Sequence, residues 1–247
     1  MKFITDHFSA IYRSFVLLTQ GKYLVYFLPG IVLAIAYFFY IQSLNSVNEY
    51  ISVVSYIPHI GESLKAGVDI FFGWIEGLSL FIFQFILITL LSPFHTILSE
   101  RLDREETGSN FQNSWSKIIN DIVRTIGVAI LGGLMYLFIK FIWLMLAYIC
   151  GLGFLTPYMT IIFIAFFTGF NSYDFSLERY DYSVAQSWGY AFSHPFHMIS
   201  TGLIFTGFIA IPHIGIVLAP VFLTMVGTLS FLKIRNRETA ALPPQEK

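Results

Sequence analysis

Apolar residues along this chain fall into four long blocks, and the blocks set the expected architecture. The first, Tyr23 to Ile41, carries no charge. Its roughly 19 residues, at about 1.5 Å of rise each, match a hydrocarbon core about 30 Å thick and predict a transmembrane span over 23–41. The second, Ile70 to Leu91, has Glu76 as its one charge and predicts another span over 70–91. Ser92 and Pro93 follow it. Proline suits the first turn of a helix, so a new helix should open there. It runs into Glu100, Arg101, Asp103 and Arg104 and must leave the bilayer, which makes 92–125 a cytoplasmic helical segment.

The third block, residues 126–170, has Lys140 as its only charge and is broken off-centre by Gly151, Gly153 and Pro157. Its second arm, Tyr158 to Phe170, offers only about 20 Å of helix. The fourth, 196–232, is broken at Pro212 and Gly215. Its arms of about 15 and 17 residues fall short of the roughly 20 a span needs. Short arms predict broken, partly penetrating helical hairpins, whose interrupted backbone survives in lipid only when covered by protein or lining a watery cavity. Two pairs of short full spans fit the same lengths, and both readings stay open. Ahead of the first span, Phe3, Phe8, Ile11, Phe15 and Leu18 recur at helical spacing, without the continuous apolar core or cleavage site of a signal peptide. Residues 1–22 therefore read as an amphipathic helix at the membrane interface.

The expected fold is an all-α integral membrane protein, one membrane domain over 1–247. It has two long transmembrane helices, two broken helical hairpins, an N-terminal interfacial helix and a basic cytoplasmic tail at 233–247. Composition agrees: 56% of residues are hydrophobic and 12% charged, against about 25% charged in a soluble domain. A net charge of −1 gives no footing for nucleic acid. The single cysteine, Cys150, excludes an intrachain disulfide and a thiolate zinc site.

Basic residues orient the chain. Lys2, Arg13 and Lys22 precede the first span, Lys65 alone follows it, and Arg101, Arg104, Lys117 and Arg124 follow the second. With Lys233, Arg235, Arg237 and Lys247 at the other end, both termini should be cytoplasmic in a multi-pass protein.

No metalloprotease His-Glu-x-x-His, phosphate-cradling glycine loop or Gly-x-Ser-x-Gly turn occurs, so no enzyme, catalytic residue, cofactor or metal is expected. His194 and His197 sit three apart beside Pro195. They read as interfacial polar residues in preference to metal ligands. Glu76 and Lys140 are more informative, because a charge near mid-bilayer costs about 2.5 to 3.5 kcal/mol. Either they face a polar interior, as a pair, or one lies near an interface. Gly73 and Gly77 flank Glu76 at a spacing that lets helices approach closely, which favours an inward Glu76. Ile57-Pro58-His59-Ile60-Gly61 and Ile211-Pro212-His213-Ile214-Gly215 repeat one pattern, which turn chemistry alone explains.

Several of these landmarks carry a family resemblance. Gln20-Gly21 precedes a span that opens with Phe27-Leu28-Pro29. Ser92-Pro93-Phe94 leads into Leu98-Ser99-Glu100-Arg101-Leu102 and Thr107-Gly108, and later come Asp174-Phe175, Ile211-Pro212 and Ala219-Pro220-Val221. In order, spacing and hydropathy the chain resembles the CysZ-like sulfate-permease family, whose domain is also called the etoposide-induced-protein domain. The resemblance implies an oligomeric bacterial inner-membrane protein that admits sulfate, working without a nucleotide-binding domain of its own. It also implies an anion site where a glycine and following arginines end the N-terminal helix. Here that stretch is Gly21-Lys22-Tyr23-Leu24, so Gly21 and Lys22 are the candidate anion-binding residues and the guanidinium is missing.

Asp174, Glu178 and Arg179 are expected to join Glu100, Arg101 and Arg104 in a cytoplasmic polar network, solvated loop charges being the alternative. The functional expectation is an anion permease or channel with sulfate as default substrate. Its partners would be an inorganic anion, the lipid bilayer and further copies of the chain. The competing class is a non-transporting membrane scaffold or assembly protein of the same fold.

Overall fold

The computed structural model describes residues 2–51, 65–67, 69–71, 91–109, 115–209, 211 and 215–241. Nearly all of the expected 70–91 span, with Glu76, Gly73 and Gly77, lies outside the described residues, as does the first Ile-Pro-His-Ile-Gly copy. Among the described residues every regular element is helical. The chain divides into two compact units, Leu28–Leu91 and Met1–Phe27 with Ser92–Lys247.

The smaller unit contributes α2, Leu28–Ile51, whose 24 residues are apolar on every side until Gln42 and Ser43. A helix with no polar face suits lipid all round. In the larger unit, α1 spans Lys2–Thr19 and lays Ala10, Ser14 and Leu17 into the core, while Phe8, Tyr12 and Phe15 point outward. Small residues on the inner face let α1 pack closely on its neighbour α8. Phe8 and Phe15, which helped to suggest amphipathicity, are on the outer face. Ion pairs from Asp6 to Arg237 and, at 3.0 Å, from Arg13 to Glu106 fasten both halves of α1. The helix stops at Gly21, whose φ of +76° lies where a side chain is strained and glycine is not. Its N–H returns to the Leu18 carbonyl at 3.0 Å.

Helix α3 (residues 92–107 in this unit) is followed by α4, Trp115–Cys150, with 36 residues. The apolar stretch from residue 126 and the polar segment before it thus share one helix. Gly151, at φ +68°, ends α4, and a 3-10 turn at Gly153–Leu155 leads into α5, Thr156–Arg179, with Pro157 in its first turn. The break falls where glycine and proline placed it. The second arm is longer than expected, however: α5 has 24 residues, about 36 Å, because the helix continues past Phe170 through Asp174 and Glu178. Those residues interrupt the apolar run without interrupting the helix, since their side chains are paired inside the protein.

Then come α6 (Val184–Ser193), opened by a Ser183–Gln186 capping box, α7 (Pro195–Ile209) and α8 (Gly215–Ala241). At 27 residues α8 also exceeds the arm expected for it, whereas α7, at 15, does not. Among the described residues four stretches, Leu24–Ser46, Val123–Cys150, Gly153–Arg179 and Val217–Thr239, are long and apolar enough to cross a membrane. They differ in surroundings: most of the apolar stretch of α8 is buried by protein, whereas little of that of α4 is. Helix α8 is therefore the axis of this unit, while α4 presents Leu134, Phe138, Phe141, Met145 and Ile149 outward, as a lipid-facing helix does.

Glycine sets how tightly the axis is wrapped. A methyl group on Gly169 of α5 would lie 1.8 Å from the Met198 carbonyl oxygen of α7. One on Gly202 of α7 would lie equally close to the Ala165 oxygen, and one on Gly227 of α8 would be 2.5 Å from that of Ser172. Backbone meets backbone at all three points, as small residues allow between membrane helices. Beside them Phe166, Phe170, Tyr173, Trp188 and Phe231 form an aromatic core, with the Phe170 and Trp188 ring centroids 4.1 Å apart.

Candidate functional site

One face of α3 carries Ser92, His95, Ser99 and Asp103, three or four residues apart and all buried. That spacing aligns them along about 16 Å of helix. Each meets a polar group of another helix. Ser92 Oγ lies 3.2 Å from Thr125 Oγ1 of α4, and His95 Nδ1 3.1 Å from Thr224 Oγ1 of α8. Thr224 has one proton and donates it to the Pro220 carbonyl at 2.9 Å, so the consistent tautomer has His95 donating from Nδ1. Ser99 Oγ sits 2.7 Å from Thr228 Oγ1 and 3.2 Å from Ser176 Oγ, and accepts from Arg179 Nη1 at 2.9 Å. Burial also acts on the imidazole of His95, bringing its pKa down to about 4.

Arg179 closes this column. Its Nε donates to Asp103 Oδ2 at 3.1 Å, with the two side chains only 3% and 0% exposed, and Tyr180 adds a hydrogen bond to Oδ1 at 3.2 Å. A charge pair this enclosed is stabilising only while both members stay; deleting one leaves an ion in a medium that cannot solvate it.

A second buried cluster is built on Arg124 of α4. The guanidinium binds Asp174 through two nitrogens, at 2.8 and 2.9 Å, reaches Glu178 at 3.2 Å and donates to Ser187 Oγ at 2.6 Å. Of the network expected among six charged residues, Glu100, Arg104 and Arg179 stay together, with Glu100 also acting on the Arg179 guanidinium, while the rest divide. Asp174 and Glu178 pair with Arg124, Arg179 pairs with Asp103, and Glu100 pairs with Arg104 at 2.7 Å within α3. Arg101 belongs elsewhere. Missed by spacing alone were Arg124, Asp103 and the hydroxyls between them; the polar face of α3 was the available clue, while its partners lie 33 to 129 positions away in sequence.

Arg101 turns toward the turn after α1. Lys22 forms an ion pair with Glu105 Oε1, and Arg101 Nε approaches the same oxygen at 3.7 Å. Tyr23 donates its phenol to Oε2 at 2.8 Å. The Arg101 guanidinium also lies over the Tyr23 ring, 5.7 Å from its centroid. Burial raises the Glu105 carboxyl, but hydrogen bonds from Lys22 and Tyr23 outweigh it and hold the group below its ordinary range. A guanidinium from α3 thus stands beside the turn that follows Gly21.

Lys140 is half-buried in α4 and reaches the Tyr136 hydroxyl at 3.4 Å. Its proposed partner Glu76 lies outside the described residues. His194 and His197 have ring centroids 5.8 Å apart; His194 stacks on Tyr190 and lies 3.4 Å from Glu238. Among the described residues no group of three or more His, Cys, Asp or Glu could hold a metal ion.

Fold and site together define a multi-pass α-helical membrane protein with a charged, hydroxyl-lined interior. A family model described as Sulfate transporter CysZ/Etoposide-induced protein 2.4 matches residues 10–220, and the chain belongs to that family. A search of curated proteins found no match.

Proposed function

We propose that the chain is a bacterial inner-membrane anion permease or channel, both termini cytoplasmic, assembled as a homo-oligomer, with sulfate as its default substrate. The observation that carries this reading is the meeting of Lys22 and Arg101 on one oxyanion beside Gly21, in a chain whose family description names a sulfate transporter. An ammonium, a guanidinium and a phenol around one carboxylate are the donor types that hold an inorganic oxyanion. The buried column on α3, α5 and α8 supports the helices around that turn, and Lys140 with Glu76 is the candidate polar pair within the bilayer. Uptake of radiolabelled sulfate into proteoliposomes tests the reading. Saturable uptake that falls at least tenfold in Lys22→Ala and Arg101→Ala supports it; uptake equal to empty vesicles by folded protein rejects it.

The second reading, a non-transporting scaffold, draws on the enclosure of Arg179 and Asp103, which suits a fixed frame more than a wet path. Unchanged folding with no anion flux would favour it.

A further inference from the structure

The turn after α1 already holds an oxyanion, and that oxyanion is part of the chain. Lys22 and Arg101 converge on one oxygen of Glu105, and Tyr23 donates to the other. Two cations therefore share one anion, and the local charge is +1. The three charged side chains remain open to solvent: Lys22 is 44% exposed, Arg101 43% and Glu105 29%. An external anion can reach both cations without unfolding any element. Glu105 sits in the last turn of α3, on a flexible side chain that can swing outward while the backbone stays put.

We propose that Glu105 is a tethered competitor that occupies the place of a divalent oxyanion and must be displaced before one binds to Lys22, Arg101 and Tyr23. This deepens, and rests on, the reading of that turn as the anion site. Displacement exposes two positive charges, which a dianion such as sulfate neutralises and a monoanion only half neutralises. The internal carboxylate thereby favours divalent oxyanions over chloride or nitrate. Two exposed ion pairs and a phenolic hydrogen bond favour the docked carboxylate by on the order of tenfold, and apparent affinity falls by the fraction of time the site is open.

Sulfate binding to purified full-length protein in detergent, by equilibrium dialysis with labelled sulfate, tests this. The variants are Glu105→Ala and the near-isosteric Glu105→Gln, with Lys22→Ala in each background. Expected are about tenfold tighter sulfate binding by both Glu105 variants, a larger gain in chloride competition as the preference for dianions is lost, and loss of binding with Lys22→Ala throughout. Sulfate binding by wild-type protein that is equal or weaker in both Glu105 variants, while still sensitive to Lys22→Ala, overturns the competitor and leaves the anion site standing. Binding absent from all forms, or indifferent to Lys22→Ala, overturns the anion reading and the competitor with it.

Discussion

Arg124 grips Asp174 through two parallel hydrogen bonds, Nη2 to Oδ1 at 2.8 Å and Nη1 to Oδ2 at 2.9 Å. The contact joins α4 to α5 across fifty residues of sequence and is mostly shielded from water. Such a fork matches the planar carboxylate in a way an ammonium cannot. Arg124→Ala strands two carboxylates and should cost about 3 to 5 kcal/mol. Arg124→Lys keeps the charge but not the fork and should recover only part of that. Thermal unfolding of purified protein in detergent measures both; equal stability of the lysine variant and wild type would remove the fork from the account.

Gly202 offers a test of the helix contacts. A methyl there would lie 1.8 Å from the Ala165 carbonyl oxygen, which belongs to backbone and cannot rotate aside. Gly202→Ala should force α5 and α7 apart and cost on the order of 1 to 3 kcal/mol or more. Gly133 has open space around the same position, so Gly133→Ala should be neutral or slightly stabilising. The difference in melting temperature between the two alanine variants decides the matter.

Stability should depend on pH through His95. Its folded pKa of about 4 lies below the unfolded value of 6.5, so between these the unfolded chain holds the extra proton. Stability is flat above pH 7, declines as pH falls through 6.5, and the penalty is complete below about 4, at roughly 3 kcal/mol. His7, also lowered to about 4 by burial, acts in the same direction. His95→Gln should flatten part of the acid limb in denaturation curves taken from pH 7.5 to 4.5; an unchanged slope would exclude His95 as its source.

Lys140 separates an intramembrane role from a tolerated charge. Its Nζ reaches the hydroxyl of Tyr136 one turn away. Lys140→Leu should leave melting temperature equal to or above wild type, since it removes a charge costing about 3 kcal/mol in lipid. Sulfate uptake by the same variant reports function: flux reduced tenfold or more places Lys140 on the path, and unaltered flux takes it off.

Apolar runs made the helices legible because lipid demands length and hydrophobicity, and Gly151 and Pro157 marked a real break. Arm lengths were underestimated where the helix turns polar. After Phe170 the residues stop looking like a membrane segment, but α5 continues because Asp174 and Glu178 are met by Arg124. The turn after α1 shows the same limit. Gly21 and Lys22 were readable locally, whereas Arg101 and Glu105 arrive from α3 through tertiary packing, about eighty positions later. Ser92, His95, Ser99 and Asp103 stood at helical spacing in plain view, yet only the structure shows that their face turns inward.

The near-contact of α5 and α7 at Gly169 and Gly202 has a mechanical corollary. Each helix presents a carbonyl oxygen where the other has no side chain, so the pair interlocks like two notched rods that can neither slide nor roll past one another. Any movement within this unit must carry α5 and α7 as one strut.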